Sequence, residues 1–191
     1  MTNLICLGDS LTFGSGVPKN QKWTTLAASQ TLRITNLGIP GDTTSGMLAR
    51  LQTVLQSPLP ENPIFLIMGG SNDIFFSGSD LAARNNLAAM VHQLSATGYK
   101  VMVGIPLPIS PQDAPKKWAD LADFDKSTQM LTDYCRWITI FCRTFHIPTV
   151  DFRKDYVNQD GSVRRELYLD GLHPNAEGHF LMANTLLEVL P

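Results

Sequence analysis

Short apolar runs and longer helical stripes take turns along this chain, and that alternation restricts its fold more than any other feature. The runs cover residues 4–7, 34–37, 64–68, 101–105 and 149–152. They are too short for helices, and Gly or Pro bounds most of them, which marks strands buried on both faces. Between them, Leu48, Leu51 and Leu55 repeat at helical spacing, as do Leu87, Met90, Val91 and Leu94, with Gly98 placed to end that helix. Leu131, Cys135, Ile138, Cys142 and Phe145 make a stronger stripe, and Phe180, Ala183, Leu186, Leu187 and Leu190 the last. Strand and helix in alternation predict a parallel sheet covered by helices on both faces.

Two segments fall outside this rhythm. Residues 106–123 carry four prolines, and residues 159–169 are polar and rich in turn formers. Long irregular segments in a compact chain tend to be covers or binding loops. No repeat, low-complexity tract or linker divides the 191 residues, so one domain spanning residues 1–191 is expected.

Composition narrows the partners. With a net charge of −2 and scattered basic residues, the chain has no basic patch for nucleic acid. Nor does any stretch approach the roughly 18 apolar residues of a membrane span. The first residues, Met1 to Leu7, lack a basic start and a small-residue cleavage site, and read as a first strand rather than a signal peptide. Cys135 and Cys142 sit about 10 Å apart along one predicted helix, beyond the roughly 7 Å reach of a disulfide. With Cys6 they read as small buried hydrophobes. A reducing compartment, most simply the cytoplasm, is the expectation.

Four motifs carry the chemistry, and each alone has an ordinary reading. Gly8-Asp9-Ser10-Leu11 follows the first strand, where a serine is either exposed for catalysis or part of a helix start. Gly41, after the second strand, either presents a bare backbone N–H to a ligand or completes a Pro-Gly turn, with Asp42 or Thr43 capping the next helix. Asn72, in Gly69-Gly70-Ser71-Asn72-Asp73 after the third strand, offers amide donors or merely leaves a turn. Asp170 and His173 stand three residues apart before the last helix, close enough for a carboxylate to orient an imidazole. Pro174 suits that helix's first turn. All four motifs fall at one edge of the inferred sheet. Together they supply a nucleophile, a backbone donor, a side-chain donor, an orienting acid and a general base, which an acyl-transfer site requires.

These four blocks, in this order across nearly the whole chain, resemble those of the SGNH hydrolases, or GDSL esterase/lipase family, and most closely its small single-domain bacterial members. The resemblance implies an α/β fold: a flavodoxin-like three-layer αβα sandwich around about five parallel strands. It further implies Ser10 as nucleophile, His173 as base, Asp170 as orienting acid, and an oxyanion hole of the Ser10 N–H, the Gly41 N–H and the Asn72 amide. No metal or organic cofactor is called for. The expected substrate is a small acyl ester or thioester.

Two other classes compete. A metal-dependent phosphoesterase could gather Asp9, Asn72, Asp170 and His173 around an ion, although such sites usually recruit several His and Asp ligands, and this chain has only four histidines and no His-x-His or Asp-x-His pair. A silent binding protein could use the same cleft. An α/β-hydrolase is a third thought, but its Gly-x-Ser-x-Gly elbow is absent. Ile74, Phe75, Phe76 and Trp118, with Leu107 and Ile109, could line an apolar acyl pocket or simply pack a covering loop. Asp9, Asp42 and Asp73 read as carboxylates fixing loop geometry. His92, His146 and His179 read as surface or satisfied core residues.

Overall fold

The computed structural model describes residues 1–190. Five parallel strands form its sheet: β1 (Thr2–Gly8), β2 (Leu32–Gly38), β3 (Ile64–Met68), β4 (Lys100–Ile105) and β5 (Thr149–Asp151). Their spatial order is β2-β1-β3-β4-β5, the flavodoxin-like arrangement. Among the described residues the α-helices are α1 (Ser10–Phe13), α2 (Trp23–Leu26), α3 (Thr44–Gln56), α4 (Ser71–Ser77), α5 (Leu81–Ala96), α6 (Phe124–Thr144) and α7 (Ala176–Val189).

The period-2 alternation of strand side chains divides the core in two. Ile5, Leu7, Phe65, Ile67, Val101 and Val103 face one way, onto the helices α3, α5 and α6. Leu4, Cys6, Leu66, Met68 and Met102 face the other way, onto Trp23 of α2 and Met182, Ala183 and Leu186 of α7. The result is the expected three-layer sandwich. Both sheet faces are covered, which is why the strands read as continuous apolar runs. Cys6, Cys135 and Cys142 are buried free thiols, and burial pushes the Cys142 thiol up to about 11 and Cys135 to about 12.

Local chemistry sets the helix limits. Thr43 caps α3 by accepting from the Gly46 N–H, Asp123 caps α6 through the Lys126 N–H, and Asn175 caps α7 through the Gly178 N–H. Past the end of α5, Gly98 adopts φ 84°. Its N–H and that of Tyr99 return to the Ser95 and Leu94 carbonyls, closing the helix as a Schellman motif.

Three details differ from the sequence reading. Pro174 precedes the Asn175 cap and so lies outside α7. On α7, Phe180 and Leu187 are 54% and 47% exposed, while His179, Met182, Ala183 and Leu186 face the core. A polar pair, His179 and Thr185, sits on the buried face, so counting apolar residues placed Ala183 and Leu186 correctly but turned the stripe too far toward Phe180 and Leu187. Phe145 caps the end of α6 half-exposed, with its ring against His92 and Phe141.

Candidate active site

Parallel pairing sends every strand exit to the same edge of the sheet, and this brings the four motifs together. Ser10 follows β1, Gly41 follows β2 and Asn72 follows β3. The β1–β3 border is where the strand order reverses, the place where open α/β sheets form their ligand crevice. The loop after β5 carries Asp170 and His173 across to Ser10, 163 residues away in sequence.

The helix-start reading of the first motif falls on Asp9 rather than Ser10. Asp9 is the cap: its carboxylate accepts from the Leu11 N–H at 2.9 Å. The neighbouring Ser10 hydroxyl is thereby left to His173, whose Nε2 lies 3.1 Å from Oγ. On the other side of the ring, Nδ1 lies 2.9 Å from Asp170 Oδ2 and 3.1 Å from Oδ1. The backbone N–H groups of Leu172 and His173 also donate to Asp170 Oδ1, at 3.1 and 2.8 Å. Burial alone would raise the Asp170 carboxyl, but the His173 ring and these N–H groups outweigh it and hold the group below its ordinary range. An ionised carboxylate on Nδ1 selects the tautomer in which Nε2 is free to accept a proton. Asp9 is the opposite case: 1% exposed, its carboxyl is pushed up to about 7 by burial, against the Leu11 N–H.

Gly41 occupies the third position of a turn closed by the Asp42 N–H to the Ile39 carbonyl, 3.1 Å. Its φ of 78° is the value a type II turn demands there. Thr43, not Asp42, caps the following helix. Asn72, on the first turn of α4, spends one amide hydrogen on the Asp42 carbonyl at 2.8 Å and keeps the other. Among the described residues, neither the Ser10 N–H nor the Gly41 N–H has a protein acceptor.

A cleft of about 490 Å³ opens over these groups. Phe75, Phe76, Trp118, Leu107 and Ile109 are among the residues that line it. Trp118 stands edge-on to His173, ring centres 6.3 Å apart, and Phe75 edge-on to Phe124 at 5.4 Å. Ile74 does not belong to it. One position along α4 from Phe75, it turns about 100° away and lies fully buried in the core. Leu121, Ala122 and Phe124 also line the cleft. The signal for Leu121 and Ala122 was the Pro-rich segment itself, near whose end they lie, and Phe124 follows as the first residue of α6.

That segment is fastened to the loop bearing Asp170 and His173. Arg165 forks onto Asp113, the Ser110 N–H donates to the Gly171 carbonyl at 2.8 Å, and the Tyr168 hydroxyl donates to the Pro108 carbonyl. Of the remaining carboxylates, Asp73 accepts from the Thr44 N–H and hydroxyl, and Asp42 pairs with Arg50 at 2.8 Å, so each fixes a loop as expected. Among the described residues no three His, Cys, Asp or Glu side chains gather where they could hold a metal ion, and no helix is long and apolar enough to cross a membrane. His92 and His146 are exposed, whereas His179 is fully buried.

The comparisons with known proteins point one way. The family model described as GDSL-like lipase/acylhydrolase matches residues 6–181. "Esterase TesA" of Pseudomonas aeruginosa is 33% identical over 112 residues, 55% of each chain. The "Arylesterase" of Vibrio mimicus is 31% identical over 106 residues, 52% of each. The aligned part thus spans about half the length of these curated relatives. A crystal structure of a lipolytic G-D-S-L family protein from Veillonella parvula superimposes with a TM-score of 0.84 at 22% identity, covering 100% of this chain and 98% of that one. At that identity the likeness is one of fold.

Proposed function

The chain belongs to the GDSL-like lipase/acylhydrolase family, and from that premise we propose that it is a serine hydrolase cleaving acyl esters or thioesters through an acyl-enzyme, within a single domain. The observation that carries this reading is the unbroken line Asp170–His173–Ser10, with contacts of 2.9 and 3.1 Å. As Ser10 Oγ attacks the acyl carbonyl, His173 Nε2 takes its proton and then delivers it to the departing alkoxide or thiolate. Asp170 keeps the ring oriented and stabilises the imidazolium. The Ser10 and Gly41 N–H groups and the spare amide hydrogen of Asn72 receive the oxyanion. Water then attacks the acyl-enzyme with His173 again as base. No step asks for a metal or organic cofactor.

The cleft favours the substrate's acyl side being apolar and uncharged. Its lining includes Phe75, Phe76, Leu107, Ile109, Trp118 and Phe124 and not one lysine or arginine. A volume of about 490 Å³ suits a small molecule. The three buried thiols support a reducing compartment, the cytoplasm.

The test is Ser10→Ala with p-nitrophenyl acetate, alongside labelling by a fluorophosphonate. Wild type should turn over and take up the label on Ser10, and the variant should do neither while keeping its circular dichroism spectrum. Undiminished hydrolysis by the variant would overturn the assignment.

A further inference from the structure

Arg50 lies on α3, outside the cleft, and the mechanism above makes no use of it. Yet its guanidinium touches both loops that carry the backbone donors. Nη2 donates to the Gly8 carbonyl at 2.8 Å, two residues before Ser10. Nε donates to Asp42 Oδ2 at 2.8 Å, one residue after Gly41. The Asp42 carbonyl in turn receives the Asn72 amide at 2.8 Å. One side chain therefore joins the β1 and β2 exits directly, and the β3 exit is tied to the same residue, Asp42, through the Asn72 amide; each contact falls within two residues of an oxyanion donor.

The arrangement is built rather than incidental. Arg50 and Asp42 are largely buried, at 21% and 12% exposure, so the pair is not a loose surface contact. The Gly8 carbonyl already accepts the Ile39 N–H at 3.0 Å, and Arg50 takes its remaining acceptor capacity. Asp42 can lie against the first turn of α3 because residue 46 is glycine: a Cβ there would stand 2.0 Å from Asp42 Oδ1. The planar fork of arginine reaches two acceptors in fixed directions, which the single ammonium of lysine does not.

We propose that Arg50, anchored by Asp42, is the positioning residue that sets the spacing of the three oxyanion donors. This rests on the serine-hydrolase reading. Displacing a donor by about 1 Å costs on the order of 10²-fold in rate, so a clamp on the strand exits acts directly on turnover without touching substrate.

The experiment compares Arg50→Ala, Arg50→Lys, Asn72→Ala and the Arg50→Ala/Asn72→Ala double variant on p-nitrophenyl acetate, at a temperature where each is folded by circular dichroism. Arg50→Ala should lower kcat on the order of 10²-fold and leave KM within about twofold. Arg50→Lys should fail to restore it, and added guanidinium should partly rescue Arg50→Ala. In the Asn72→Ala background the Arg50 change should cost several-fold less than in wild type, because the donor set is already broken. An alkyl boronic acid, which forms a tetrahedral adduct on Ser10, should lose affinity in parallel with kcat. A folded Arg50→Ala with wild-type kcat overturns the proposal, as does full additivity with Asn72→Ala. Should Arg50→Ala not fold, Asp42→Asn, which retains the carbonyl but weakens the anchor, should still lower kcat several-fold, and an unchanged kcat there is equally fatal. Failure of wild type to hydrolyse the ester or take up a fluorophosphonate would instead bring down the underlying hydrolase reading.

Discussion

Replacing Asp9 with asparagine should remove one of two opposed pH dependences and make the variant gain stability over the wild type as pH rises. The carboxyl of Asp9, 1% exposed, rises from its ordinary 3.8 to about 7 through burial. Between those values the folded chain holds a proton there that the unfolded chain has lost, so raising the pH favours unfolding. Each pH unit costs ~1.4 kcal/mol, or about 4 kcal/mol across the window. His179 works in the opposite sense. Burial pushes its imidazole from 6.5 to about 4, so between those values the unfolded chain holds the extra proton and raising the pH favours folding. Its contribution is about 3 kcal/mol over that window. In wild type the two slopes largely cancel between pH 4 and 6.5. In Asp9→Asn the amide oxygen can still accept from the Leu11 N–H, only the ionisation is gone, and the His179 slope stands alone. Urea unfolding at pH 4.5, 5.5, 6.5 and 7.5, at fixed ionic strength, measures the difference between variant and wild type, in which all shared groups drop out. That difference should grow by about 3–4 kcal/mol in the variant's favour from lowest to highest pH. Parallel profiles, within about 1 kcal/mol, would refute the reasoning. A His179→Gln variant should show the mirror image, losing stability as pH rises.

Asn72→Ala should reduce kcat for p-nitrophenyl acetate by about 10²–10³ with little change in KM; a loss confined to KM would count against its role as an oxyanion donor. Asp170→Asn should lower kcat by about 10⁴, because an amide no longer selects the tautomer that accepts from Ser10, and stopped assays at high enzyme concentration would measure it. Ile74→Ala should cost about 2–5 kcal/mol in chemical unfolding without altering preference among acetyl, butyryl and hexanoyl esters. Leu121→Ala, at a position 63% exposed on the cleft, should do the reverse: stability within about 0.5 kcal/mol and a raised KM for the longer esters.

The order of strands and long helices was legible because burial on both faces leaves an unambiguous apolar signature. The helices α1 and α2, four residues each, are too short to display a period, so Trp23, fully buried between them and the sheet, went unread. The phase of α7 was only partly read, for a related reason. Its inward face includes His179, whose Nδ1 accepts from the Trp23 N–H at 3.4 Å, and a buried histidine looks like a surface residue in a sequence. The site divided in the same way. Ser10, Gly41, Asn72, Asp170 and His173 each follow a strand or precede a helix, so their convergence followed from parallel topology alone. Arg50 gave no such sign: one arginine on an amphipathic helix reads as solvated charge until its distance to Gly8 and Asp42 is known. Ile74 was misplaced because adjacent positions in a short helix point about 100° apart, and nothing in the sequence sets the phase.

The contact between Ser10 and His173 joins positions 163 apart, and this has a bearing on how the protein is made. A chain emerging from the ribosome displays its serine early, and displays the base that would activate it only after every strand of the sheet has been synthesised. On the proposed serine-hydrolase reading, the hydroxyl keeps an ordinary alcohol's reactivity until the loop after β5 brings His173 against it. The order of synthesis then acts as a safety catch: chains that lack the loop after β5 would carry the nucleophile without its base. If the proposed reading holds, ester turnover would report the docking of that loop against Ser10 in refolding.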